Sequence, residues 1–100
     1  MLVLDNGLKI KLLGIQEIPS KNGKAIKFLK DKIQGQKVFL RFDNIKYDEE
    51  GNLLSYLYLW NKTFLNAHLI KNSLVDVDSK FDFKYKEKFL RLKEMEGKND

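Results

Sequence analysis

The sequence predicts a mainly β, α+β domain: a small antiparallel barrel with about three helices at its ends. Three observations lead there. Apolar and polar residues alternate through several short segments bounded by turn residues, the pattern of half-buried strands. In other places the apolar spacing changes from two to about 3.6, the pattern of amphipathic helices. One hundred residues, 43% apolar and 33% charged, hold one core and show no linker, repeat or second domain. A barrel also removes the exposed edges that many short strands would otherwise present.

The elements follow in order. Leu2-Val3-Leu4 and Leu8 to Leu13 make two strands joined at Asp5-Asn6-Gly7, because Asn-Gly accepts the positive backbone angles of a type I′ turn. In the second strand Leu8, Ile10 and Leu12 alternate with Lys9 and Lys11, so one face is buried. Gly14 interrupts the apolar run where a bulge or a close backbone approach is expected in a bent strand. Gln16-Glu17-Ile18-Pro19-Ser20 is read as loop. A helix then places Ala25, Ile26, Leu29 and Ile33 on one side, with lysines largely on the others, and Gly35 ends it. Gln36 to Phe42 alternates again as a strand. The polar turn Asp48 to Asn52 leads to a strand from Leu53 to Trp60 with both faces largely covered. Thr63-Phe64-Leu65 is a strand fragment, Asn66 is placed to cap a short helix, and Leu74 to Val77 is a last short strand. Ser79 is placed to cap a C-terminal helix with Tyr85, Phe89 and Leu92 as its apolar stripe.

Composition excludes several chemistries. The absence of Cys removes disulfides, thiol nucleophiles and cysteine zinc sites, and the lone His68 cannot build a histidine-rich metal centre. No apolar run approaches the roughly 20 residues of a membrane helix, and Met1 is followed by neither a basic stretch nor a long apolar one. The expectation is a soluble chain without a signal peptide, its compartment unassigned. The net charge of +5 is uneven: residues 21–46 carry 8 positive and 2 negative groups, whereas residues 47–80 carry 3 and 5. Such a lysine-rich stretch has two readings, attraction to polyanions or a solvated helix face.

Taken together, several segments resemble the staphylococcal nuclease family. They are Leu12-Leu13-Gly14-Ile15 before a Pro-containing loop, Phe28-Leu29, Gly35 through Asp43, Gly51 through Tyr58, and Phe64-Leu65-Asn66 with Leu69-Ile70, in that order over nearly the whole chain. The resemblance implies a five-stranded OB-fold barrel with three helices and, in active members, Ca²⁺-dependent cleavage of DNA and RNA phosphodiesters. It also implies which positions should carry the chemistry, and here they are altered. An arginine position falls on Lys11, the metal-ligating Asp on Gln16, the proposed general base on Ser20 and a second arginine on Asn52, while two phosphate-contacting positions fall on Glu49 and Glu50. The family's first strand, which supplies a further metal ligand, would lie before Met1, implying a truncated first strand and a domain excised from a longer protein. An edge opened beside Leu2 to Leu4 would invite pairing with another copy.

These changes predict a catalytically degenerate domain serving as a nucleic-acid-binding or interaction module. No metal site is expected. Lysine supplies charge but not the planar two-pronged fork of arginine, and Gln16 binds a hard cation weakly. Two alternatives stay open. One is a weak Ca²⁺-dependent nuclease using Lys11 and Glu17, and the other is a module that binds protein alone. For single-stranded nucleic acid the candidate contacts are Lys11, Lys37, Arg41 and Trp60, with Trp60 the best exposed aromatic and Tyr56 and Tyr58 read as packing beneath a helix.

Overall fold

A computed structural model describes residues 2–3, 9–80 and 82–98. Their order is β1 (Leu2–Val3), β2 (Lys9–Leu12), β3 (Ile15–Glu17), a short 3-10 helix (Pro19–Lys21), α1 (Asn22–Ile33), β4 (Val38–Arg41), β5 (Leu53–Leu59), α2 (Leu65–Lys71), β6 (Val75–Val77) and α3 (Lys86–Lys98). The α+β class and the three helices are as predicted. The expected Asn-Gly turn, with Leu4 and Leu8 beside it, lies outside the described residues.

The strands form a four-stranded sheet in the order β1-β2-β5-β4 and a two-stranded sheet of β3 and β6, where a single closed barrel was expected. The sheet is also not wholly antiparallel. Ile10, Lys11 and Leu12 run parallel to Leu53, Leu54 and Ser55, because α1 and β4 intervene and bring the chain back in the same direction. One bent segment joins the two sheets. After β2 the chain turns at Gly14, which has φ +79°, and continues as β3, so Gln16 and Glu17 lie in a strand paired with Asp76 and Val75 rather than in a loop. A Cβ at Gly14 would fall 2.6 Å from the Phe83 ring and 2.9 Å from Phe89, so this bend needs glycine for both space and conformation.

The core lies between the sheets and the helices, with Ile10, Leu13, Leu57, Leu65, Ile70 and Phe89 at its fully buried centre. Ala25 and Leu29 of α1 join it, but Ile26 is 47% exposed, since the buried stripe of this helix is narrower than its apolar spacing suggested. Asn66 does not cap α2. It is fully buried, accepting the Leu57 N–H at 2.8 Å and donating to the carbonyl oxygens of Leu13 at 3.0 Å and Ser55 at 3.4 Å. It thereby ties α2 to β5 and to the end of β2, where a capping side chain would have served only its own helix. Ser79 does not cap α3 either, because that helix begins at Lys86. Thr63 lies outside any strand, Phe64 makes only an isolated bridge to Tyr58, and Leu65 already belongs to α2.

Candidate functional site

Three of the residues that the resemblance singled out, Lys11, Gln16 and Glu50, meet with Glu17 in one cleft of about 810 Å³. Lys11 on β2 and Gln16 and Glu17 on β3 line it together with Pro19, Asn22 and Lys30 from the start and flank of α1. Its floor is apolar, with Leu12, Ala25, Leu29 and Leu69, and Glu50, Asp78 and Lys80 also line it. Lysines and carboxylates thus share this cleft, a mixture that does not favour a phosphate chain. Ser20, which the resemblance set at the general-base position, is exposed in the 3-10 helix and does not line the cleft.

Asp48, which sequence reasoning left as part of a solvated turn, is the hub of this region. Its side chain is 8% exposed. Oδ1 accepts the backbone N–H groups of Glu50 at 2.9 Å and Asn52 at 2.8 Å, closing the turn. Oδ2 accepts the Asn52 side-chain amide at 3.0 Å and the Lys11 ammonium at 3.4 Å. The Asn52 amide leads in holding the Asp48 carboxyl down, to about 2; burial opposes it, and the Asn52 N–H, Lys11 and the Glu50 N–H add to the fall. Asn52 is itself buried. Lys11 and Asn52, the two residues that the resemblance set at arginine positions, are thus both turned onto one carboxylate.

The donor set does not suit Ca²⁺, the ion the resemblance implies. Among the described residues no three His, Asp, Glu or Cys side chains converge, Gln16 is neutral, and the Glu17 carboxylate accepts the Asn22 side-chain amide at 3.3 Å.

The remaining candidates lie on the face of β4 and β5. The register places Phe39 opposite Tyr58 and Arg41 opposite Tyr56, and the Trp60 N–H donates to the Lys37 carbonyl at 2.8 Å. Aromatic rings follow one another along this face. Phe64 stacks on Tyr58 with centroids 4.6 Å apart, Tyr58 on Phe39 at 5.1 Å, and Phe39 meets Trp60 edge-on at 6.3 Å. Burial falls along β5 in the same direction: Tyr56 is 3% exposed and Trp60 69%. The Arg41 guanidinium lies 5.6 Å above the Phe39 ring. Alternation along the strand sets Phe39 beside Arg41, as found, but Phe39 was not among the candidate contacts.

Beside this face Arg41, Asp43, Tyr56, Tyr58, Lys84 and Tyr85 contribute to a second cleft of about 920 Å³. Tyr56 Oη donates to Asp43, which also accepts the Lys84 N–H at 2.8 Å. Burial raises the Asp43 carboxyl, but the Tyr56 hydroxyl and the backbone N–H groups of Lys84 and Asn44 outweigh it and lower it overall. Burial first, then the Asp43 hydrogen bond, raises Tyr56. Burial and the Tyr85 hydroxyl push Tyr58 up to about 12. These hydroxyls stay protonated and structural at neutral pH. His68 is half-buried; burial and then Lys71 and Lys32 lower its basicity.

A bent strand feeding two sheets, a parallel β2–β5 ladder and three helices around one core define an α+β scaffold. The family model of the staphylococcal nuclease homologues matches residues 9–99, and the chain belongs to that family. None of the curated proteins matches it. No helix among the described residues is long and apolar enough to cross a membrane.

Proposed function

We propose that this chain is a catalytically degenerate member of its family that binds single-stranded nucleic acid on the face of β4 and β5, not in the cleft beside β2. The observation that carries the reading is Trp60, 69% exposed at the end of a row of stacked rings, with Lys37 opposite it and Arg41 four residues further along the chain. An exposed indole backed by Phe39 is a platform on which a base stacks at any sequence, and base–aromatic stacking contributes about 1–3 kcal/mol per base. Lys37 and Arg41 supply the backbone contacts, for which two neutralised phosphates give a log–log salt slope of about −1.4. Lys11, by contrast, is engaged by Asp48, and carboxylates share its cleft. Within this reading the two sheets are the two halves of the OB barrel that family membership implies.

Trp60 is the sole tryptophan, so it reports its own occupancy. Titrating a labelled single-stranded oligonucleotide should quench its fluorescence in step with a rise in anisotropy, and Trp60→Ala should weaken binding by about 5-fold to 150-fold. Binding without quenching, or undiminished in Trp60→Ala, would refute the assignment of this face. Lys11 and Glu17 do share a cleft, which favours a second reading as a weak Ca²⁺-dependent nuclease. Oligonucleotide shortened in the presence of Ca²⁺ by the wild type but not by Glu17→Ala would replace the first reading with the second. No binding even at low salt would leave a protein-interaction module.

A further inference from the structure

One flank of α1 gathers positive charge outside both clefts. Between them, α1 with the turn before it (residues 21–33) and α2 (residues 65–71) carry Lys21, Lys24, Lys27, Lys30, Lys32 and Lys71 against one carboxylate, Asp31. Asp31 lies 3.9 Å from Lys27 and is paired with it. Lys24, Phe28 and Lys32 stand four residues apart and form one stripe along about 12 Å of α1. Both lysines are exposed, and Phe28 is half-buried between them.

The neighbouring helix widens this stripe into a surface. The Lys21 ammonium donates to the Ser73 carbonyl at 2.9 Å, which ties the start of α1 to the end of α2. His68 and Lys71, three residues apart, share one face of α2. Lys71 and Lys32 both act on the His68 ring, so cations from the two helices converge beside Phe28.

The chemistry of this flank discriminates among polyanions. Its fixed charges are all lysines, with no planar fork to grip one phosphate in a set geometry. The Lys32 ammonium sits 5.6 Å above the Phe28 ring, on the face where a base would stack. Two helices side by side present a convex surface, whereas single strands are held in grooves. A bilayer suits each feature. Its phosphates spread over a plane, lysine stems lie along apolar surface while their heads reach the anionic headgroups, and an aromatic ring among them meets the headgroup boundary.

We infer that the α1–α2 flank docks on an anionic lipid bilayer, with Lys21, Lys24, Lys32 and Lys71 on the headgroups and Phe28 among them. The inference uses none of Lys37, Arg41 or Trp60 and does not depend on nucleic-acid binding.

The test sediments the whole chain with vesicles of phosphatidylcholine, with and without about one third phosphatidylserine. Saturable, salt-sensitive binding to the anionic vesicles alone is expected. Lys24→Gln, Lys32→Gln and Lys71→Gln combined should lower partitioning by about 100-fold, each lysine near such a surface contributing about fivefold. Lys46→Gln, Lys62→Gln and Lys88→Gln, the same change of net charge elsewhere, should lower it by less than about threefold. Phe28→Trp in a Trp60→Phe background puts the sole indole on the docked flank, where brominated lipid in the anionic vesicles should quench it. Anionic vesicles left unbound, equal binding to neutral vesicles, equal losses from the two triple variants, or an unquenched indole in the bound protein would each overturn the inference. So would a DNA duplex that loses affinity with the first triple variant while vesicle binding is unchanged, which would assign these lysines to nucleic acid.

Discussion

Replacing Asp48 with asparagine removes one charge from a side chain that serves four donors, and its effect on stability should depend on pH. In the folded chain the Asp48 carboxyl titrates at about 2, against an ordinary value of 3.8. A carboxyl whose folded value lies below its unfolded one stabilises the fold above the unfolded value and loses that contribution as pH falls toward the folded one. The window is therefore pH 4 down to 2. Each pKa unit is worth about 1.4 kcal/mol, so the full contribution at neutral pH is about 2 kcal/mol, reduced by salt because the Lys11 side chain is 45% exposed. Urea unfolding followed by circular dichroism at pH 7, 4 and 2.5 measures it. The wild type should lose about 1–2 kcal/mol more than Asp48→Asn between pH 4 and pH 2.5, with unchanged denaturant slopes. Parallel pH profiles would show that this carboxylate carries no such linkage and would refute the hub. Lys11→Met should cost less than about 1 kcal/mol, as half-exposed ion pairs do.

Other outcomes are expected from the same geometry. Gly14→Ala should destabilise by about 2–5 kcal/mol in chemical denaturation, because a left-handed backbone and a clash with Phe83 and Phe89 coincide there; a loss below about 1 kcal/mol would mean that these rings move aside freely. Asn66→Ala should cost about 2–4 kcal/mol, leaving the Leu57 N–H and the Leu13 carbonyl buried without their partner. Asn66→Asp should be nearly as harmful, because the donor to Leu13 is lost while an acceptor for Leu57 remains. Trp60→Ala should leave the unfolding midpoint nearly unchanged, since the indole is mostly in solvent and touches Phe39 only at an edge.

Much of the fold was legible because its causes are local. Alternation located β2, β4 and β5, the 3.6 spacing located α1, and the isolated Gly14 in an apolar run marked the bend between the two sheets. The exposure of Trp60 was equally readable, as the last aromatic of a strand running out into a polar turn. Parts of the site were not. Gln16 and Glu17 became a strand only because β6 arrives beside them, and Ile26 reaches solvent because neighbouring elements cover just part of its helix face.

The residues themselves determined which segments extend or coil and that cysteine chemistry is absent. Folding decided the partners. Lys11 finds Asp48 across 37 positions of chain, and Asn66 finds Leu13 across 53. Asn66 reads as a cap in sequence because its neighbours along the chain are those of a helix start, and it is a cross-link in space because burial beside β5 presents it with unpaired backbone groups. Periodic patterns record each residue's local geometry, whereas a hydrogen bond needs two groups that the chain keeps apart until it folds.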